Sequence, residues 1–286
     1  MAEVGTSGPH DEQWHLQWQT TTVDGRPAVY AVAGEGPPLV FLHGWGLNHR
    51  TYRRALKRLV RSGVRVYAPA MPGFGGTAAL PKVQFTIAGY ATWVSQFLDA
   101  VDITGPVTLV GHSFGGGVAI QTAHDFQHRV ARLVLVNSIG GSAWTSKHGK
   151  ERTMRDRPLW DWGLHLPADA LSPRLFTRVL PVVAADAVPN FARQPVSVWR
   201  VGQLARTADL TAELDDLRRR KVPVVILWGR DDKVIPTACL DSLKVALGEP
   251  TVHTVDGKHS WLIAHPDRFA EVMTNVIGVA SPKDAA

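Results

Sequence analysis

Ser113, His259 and a carboxylate at Asp231 or Asp232 are the residues whose types and spacing could do covalent chemistry in this chain. Ser113 stands in Gly111-His112-Ser113-Phe114-Gly115, with an apolar run over 107–110 before it and a run that reads as a helix after it. Glycines two residues to either side let the backbone turn sharply. The serine is then exposed at the tip, and the following helix points its N-terminus at the reacting centre. A serine hydroxyl is a poor nucleophile until a base takes its proton, so the reading demands a histidine and a carboxylate further along. The carboxylate follows an apolar strand in "ILWGRDDKVIP", and the histidine follows another in "TVDGKHSW". Nucleophile, acid and base thus come in that order, each at a strand end. A tetrahedral intermediate also needs donors aimed at its oxygen, each worth about 3 to 4 kcal/mol of barrier, and the Phe114 N–H is the first.

Among the twelve histidines, His259 is preferred because it lies between the last strand and the last helix. His265, just before Pro266, belongs to the entry of that helix. His124, His128 and His253 fall on helix, turn or strand positions. His112 sits inside the turn itself and is expected to touch the site without moving a proton.

The elements that must position these residues read as strands alternating with helices. "WHLQWQTTTVDGRPAVYAVAGEG" alternates around Asp24-Gly25, a hairpin signal, and "PPLVFLHG" is a strand buried on both faces. An amphipathic helix to Gly63, the strand "VRVYAPA", the helix "TIAGYATWVSQFLDAV", the strand "VTLVG", the helix "GGGVAIQTAHDF" and the strand "ARLVLVNS" follow. Such alternation predicts a parallel sheet with crossover helices. Near Gly140 it stops. For roughly seventy residues the sequence shows helical fragments broken by Pro158, Pro167, Pro173, Pro181, Pro189 and Pro195, with no strand expected. Then "VPVVILWG", "TACLDSLKVALG", "TVHTVDG" and "PDRFAEVMTNVIGV" resume the pattern. The organisation expected is a disordered start over 1–13, an α/β core over 14–140 and 208–280, and a helical lid over 141–207.

With 286 residues and 45% apolar side chains, the chain can bury a sizeable core. The single cysteine, Cys239, excludes an intramolecular disulfide and fits a reducing compartment. No leader pattern and no long apolar span are visible, so a soluble cytoplasmic protein is expected. The net charge is +6, but the positives are scattered and no nucleic-acid motif appears, so no nucleic-acid partner is expected. Nor is a metal or cofactor. The histidines beside the turns are already allotted, and there is one cysteine.

From roughly Trp14 to Val279 the chain resembles the α/β-hydrolase superfamily, which implies a mostly parallel eight-stranded sheet flanked by helices, with a helical lid after the sixth strand. In that family the acid lies in G-x-x-D-x-x-x-P, here Gly229 to Pro236, and this register selects Asp232 over Asp231. "FLHGWG" resembles the family's oxyanion turn, which places the Trp45 N–H as the second donor and makes His43 structural. The Trp45 indole then either lines the pocket or packs under the lid. Ala70 and Ala264 stand where relatives often carry acids, at positions that are usually structural.

A serine nucleophile argues against the dehalogenases and epoxide hydrolases of this superfamily, which use a carboxylate there. The resemblance implies cofactor-free hydrolysis of a small-molecule ester or thioester. "HGWGLN" and "MPGFGGT" are most similar to carboxylesterases such as the pimeloyl-acyl carrier protein methyl ester esterases. "WGRDDKVIP" and "HSW" resemble carbon-carbon bond hydrolases of aromatic ring-fission products, which brings Asn48 and Trp261 forward as pocket residues. A ligand receptor or a lyase on the same fold is the third reading. The lid aromatics Trp144, Trp160, Trp162, Phe176, Phe191 and Trp199 fit either an apolar pocket or packing against the sheet. Ten Lys and Arg against five Asp and Glu between Gly141 and Arg206 make the lid basic. That suits steering of an acidic carrier protein or an anionic substrate, with Arg152, Arg155 and Arg157 prominent, although a solvated basic surface is the simpler account.

Overall fold

A computed structural model of the chain describes residues 15–145, 151–153 and 179–278, with the backbone alone described at 144, 145 and 151–153. The expected disordered start, Trp160, Trp162, Phe176, the Trp144 side chain, Pro158, Pro167, Pro173 and Arg155 and Arg157 lie outside the described residues, as does the Arg152 side chain.

Asp24 and Gly25 adopt φ of 49° and 70°, the left-handed pair that a two-residue hairpin needs. They join β1 (Gln17–Val23) to β2 (Arg26–Ala33) in antiparallel register from Gln17 opposite Val32 to Val23 opposite Arg26. The chain continues through β3 (Pro38–Leu42), α1 (Arg53–Val60), β4 (Arg65–Pro69), α2 (Ile87–Ala100), β5 (Val107–His112), α3 (Phe114–Asp125) and β6 (Val130–Val136). After an inserted segment come α6 (Thr211–Arg219), β9 (Val224–Gly229), α7 (Thr237–Leu247), β10 (Thr251–Val255), the single turn α8 (Trp261–Ala264) and α9 (Pro266–Ile277).

The strands form one eight-stranded sheet in the order β1-β2-β4-β3-β5-β6-β9-β10. It is antiparallel at β1, β2 and β4 and parallel from β4 onward. Both faces are covered. Phe97, Leu98, Val118, Ile120, Leu214 and Leu243 pack on one side. Leu56, Leu59, Val60, Phe269 and Met273 pack on the other. Burial on both faces explains why β3, β5 and β6 read as continuous apolar runs rather than alternating ones. The parallel strands all end at one edge, where the loops after β3, β5, β9 and β10 gather.

The segment between β6 and β9 departs from expectation in two ways. It contains a short antiparallel pair, β7 (Ala143–Thr145) and β8 (Glu151–Thr153), where no strand was expected. Three-residue strands are too short for an alternating pattern to register. Second, three of its prolines do not break helices. Pro181 and Pro195 occupy first turns, of α4 (Leu180–Arg193) and α5 (Pro195–Thr207), where a missing N–H costs nothing. Pro189 lies inside α4 and leaves the Ala185 carbonyl without its helical donor, yet the helix continues to Arg193.

Polar side chains fasten these helices to the core. On α4, Asp186 accepts from the Thr51 N–H at 2.8 Å and from the Thr51 hydroxyl. One turn on, Asn190 donates to Gly46 O at 3.1 Å and accepts from Gly75 N–H at 3.2 Å. The Trp45 indole N–H donates to Val198 O on α5 at 2.6 Å.

Candidate active site

Ser113 sits between β5 and α3 with φ 55° and ψ −118°, a conformation that costs a non-glycine residue about 1 to 3 kcal/mol. The surrounding backbone enforces it. Ser113 N–H donates to Val136 O at 3.0 Å, while Ser113 O accepts from Gly116 N–H at 2.9 Å and from Ile139 N–H at 3.3 Å. α3 then packs so closely against the sheet that every residue from Phe114 to Ala123 is buried. A Cβ on Gly115 would stand 2.4 Å from Leu42 O and 2.7 Å from His43 O, both backbone atoms that cannot step aside. Gly115→Ala is therefore expected to cost about 1 to 3 kcal/mol or more by overpacking. Gly105→Ala, where a Cβ meets nothing within 4 Å, should stay within about 0.5 kcal/mol. Urea unfolding of the two variants checks this, and equal losses would contradict it.

The loop after β9 brings Asp232 and the loop after β10 brings His259. Asp232 Oδ2 accepts from His259 Nδ1 at 2.8 Å and from Asn137 Nδ2 at 2.5 Å. Asp232 Oδ1 accepts from the N–H groups of Val234 and Ile235 at 2.8 and 2.9 Å. The carboxylate thus receives four donors, and its bond from His259 places the imidazole proton on Nδ1. Nε2 is left as the basic nitrogen. Asp231 N–H instead bonds Gly257 O at 2.9 Å, and its side chain does not take the His259 bond.

Asn137 was not anticipated. At the end of β6 it adopts φ 43°, which asparagine tolerates, and its Oδ1 accepts from Trp261 Nε1 at 2.7 Å and Gly229 N–H at 3.2 Å. The one available signal was a polar residue directly after the apolar run "VLV".

Ser113, His112 and His259 open onto a cavity of about 520 Å³ together with Gly44, Trp45 and Gly46 of the turn after β3. Its roof is the inner face of α4, where Leu180, Val183, Ala184, Ala187 and Phe191 recur at helical spacing. Trp45 and His112 line it. Asn48 and Trp261 do not: Asn48 is buried with its Oδ1 accepting from Arg50 N–H at 2.7 Å, and Trp261 is held behind the site by Asn137. Both are polar-tipped residues that found backbone or core partners, which is how such groups are normally buried. Phe191 lines the cavity, whereas Trp199 is 60% exposed and does not. His43 is structural, with Nδ1 donating to Gly44 O at 2.9 Å and Nε2 accepting from Met71 N–H at 2.8 Å. Burial pushes its pKa down to about 4.

An eight-stranded, mostly parallel sheet with a strained serine after its fifth strand defines the class of protein, and the chain belongs to the alpha/beta hydrolase family, whose model matches residues 39–272. It is 28% identical to the pimeloyl-[acyl-carrier protein] methyl ester esterase of Aromatoleum aromaticum, over 84% of this chain and 98% of that one. It is 29% identical to the 2-hydroxy-6-oxo-2,4-heptadienoate hydrolase of Pseudomonas putida, over 71% of this chain and 75% of that one. Its fold matches a thermophilic esterase of Thermogutta terrifontis with a TM-score of 0.72 at 18% identity, covering 91% of this chain and 98% of that one. Among the described residues no helix is long and apolar enough to cross a membrane.

Proposed function

We propose that this hydrolase cleaves a neutral carboxylic ester, or thioester, of an apolar acyl or aromatic substrate through an acyl-enzyme on Ser113. His259 Nε2 takes the Ser113 proton as Oγ attacks the carbonyl carbon, and the N–H groups of Trp45 and Phe114 receive the developing oxyanion. The imidazolium returns the proton to the leaving group, the alcohol oxygen of an ester or the sulfur of a thioester, as its bond to the acyl carbon breaks. A water then attacks the acyl-enzyme by the same path in reverse and frees Ser113. The segment between β6 and β9 acts as a lid whose helix α4 walls the acyl site.

The observation that carries this reading is the lining of the cavity. Apart from histidine, the described residues that line it include no ionisable side chain, so a neutral apolar group is accepted there and a carboxylate meets no countercharge. That favours the ester over an anionic dienoate of the kind named for the Pseudomonas putida relative. Carbon-carbon bond hydrolysis is the second reading and rests on that similarity.

The test is a fluorophosphonate probe together with p-nitrophenyl esters from acetate to decanoate, beside Ser113→Ala and His259→Ala. Wild type should label and turn over, with an optimum beyond acetate, while Ser113→Ala loses labelling and at least about 10³-fold in kcat. Retained labelling and turnover in Ser113→Ala would remove the nucleophile from the reading. Bleaching of a chromogenic dienoate faster than ester cleavage would move the protein to the second one.

A further inference from the structure

Acyl transfer requires three backbone segments to keep their places relative to one another: the turn after β3, the elbow after β5 and the loop after β10. Two buried side chains outside the triad tie all three together. The Tyr52 oxygen accepts from Gly44 N–H at 3.1 Å, its hydroxyl lies 2.9 Å from His112 Nδ1, and His112 Nε2 lies 3.1 Å from His259 O. Only one arrangement of protons satisfies every link. Gly44 N–H can only donate and His259 C=O can only accept. His112 therefore carries its proton on Nε2, its Nδ1 is the acceptor, and the Tyr52 O–H donates to it. Burial favours the same state, holding His112 well below the ordinary histidine range and raising the Tyr52 hydroxyl above its own. Space is equally restricted. A Cβ on Gly44 would meet His112 Nδ1 at 3.1 Å, the Tyr52 oxygen at 3.2 Å and Ser113 Cβ at 3.4 Å.

Resting on the serine-hydrolase reading above, we propose that Tyr52 and His112 are positioning residues: a directional chain of hydrogen bonds from Gly44 to His259 that sets the oxyanion turn and the base against Ser113. Its links span 8, 60 and 147 residues of sequence, so it joins segments that local structure does not hold together. Because Gly44 N–H is committed to Tyr52, the oxyanion donor of that turn is the next amide, Trp45. The chain makes its contribution in kcat rather than in binding, since its links hold the turn after β3 and the base in place, whereas the acyl wall is the inner face of α4.

The experiment compares Tyr52→Phe, His112→Leu and their combination, with active sites counted by fluorophosphonate so that kcat is expressed per competent site. Misplacement of reacting groups on the scale of 1 Å costs on the order of 10²-fold. The expected losses in per-site kcat are accordingly about tenfold for Tyr52→Phe and about 10- to 100-fold for His112→Leu, with KM within about threefold of wild type. The double variant should be no slower than His112→Leu, because both cut one chain. His112→Gln, which offers an acceptor and a donor in one side chain, should recover part of the loss. A merely structural role would lower the number of titratable sites and leave their rate unchanged. Per-site kcat within about twofold of wild type, or fully additive losses, would overturn the proposal. Tyr52→Phe removes one oxygen and keeps the ring contacts with Phe41 and His112, at 4.8 and 5.6 Å between centroids, so it reports even if the leucine variant does not fold. Full labelling and turnover in Ser113→Ala would instead bring down the nucleophile reading, whatever the clamp variants show.

Discussion

Asp232→Asn is expected to lower kcat by about 10³- to 10⁴-fold while leaving the protein folded. The reason lies in the count of donors around the carboxylate. Its four partners, His259 Nδ1, Asn137 Nδ2 and the N–H groups of Val234 and Ile235, all require acceptors. An amide supplies one oxygen and one NH₂. With the oxygen facing the two backbone amides, the NH₂ faces His259, which must turn its Nδ1 into an acceptor and carry its proton on Nε2. That tautomer cannot take a proton from Ser113. Asn137 cannot compensate by flipping, because its Oδ1 already accepts from Gly229 N–H and Trp261 Nε1. The opposite amide orientation sets NH₂ against two N–H groups and leaves them buried without an acceptor. Steady-state kcat with a p-nitrophenyl ester, beside a thermal melt, checks the expectation. Activity within tenfold of wild type would mean that Asp232 does not set the tautomer.

Stability is expected to fall steeply on mild acidification. His43 and His49 are fully buried, and burial pushes their pKa values from 6.5 down to about 4 and about 3. His112 is lowered in the same direction and for the same reason. A histidine whose folded value lies below its unfolded value binds its proton preferentially when unfolded. Its neutral form is at no disadvantage above about pH 6.5, and the folded state loses ground as pH falls from there towards its own pKa. At pH 5 the loss is about 2 kcal/mol for each of His43 and His49, with His112 adding to it. That is a large share of a typical stability of about 5 to 15 kcal/mol. Asp186 acts in the opposite sense. Burial raises its pKa, so protonation relieves a penalty and offsets part of the loss. Urea unfolding at several values between pH 7.5 and 5 measures the slope. His49, whose ring nitrogens have no hydrogen-bond partner among the described residues, is the residue to exchange: His49→Phe should flatten the slope by about 1.4 kcal/mol per pH unit. An unchanged slope would show that His49 is not the group titrating.

These residues also show what a sequence reader can and cannot see. Ser113, Asp232 and His259 were legible because each closes a strand with a local pattern of its own, and the hairpin at Asp24-Gly25 because two adjacent residues determine it. Sheet order was not legible. Nothing local says that β4 lies between β2 and β3, since that is decided by crossover connections and not by period. Asn137 and Tyr52 were missed for a related reason. Their meaning comes from partners tens of residues away, and neither type is unusual where it stands. In α4 the prolines drew the eye as breakers, although the spacing of Leu180, Val183, Ala184, Ala187 and Phe191 carries a helical face that the cavity uses. Asn48 and Trp261 illustrate the converse error. Family likeness pointed them at the substrate, while ordinary hydrogen-bond satisfaction turned them into the protein's interior.

The inserted helices do not simply rest on the core. Asp186, Asn190 and Val198 grip Thr51, Gly46 and Trp45, so the turn after β3 hangs between two separately encoded parts of the chain. Roof and turn are therefore a single heritable unit. A helix pair grafted from a relative would bring a new wall for the cavity but would let go of the turn that we propose receives the oxyanion. Loop 44–51 and the contact faces of α4 and α5 must travel together, and within this architecture a change of substrate range has to be written in both places at once.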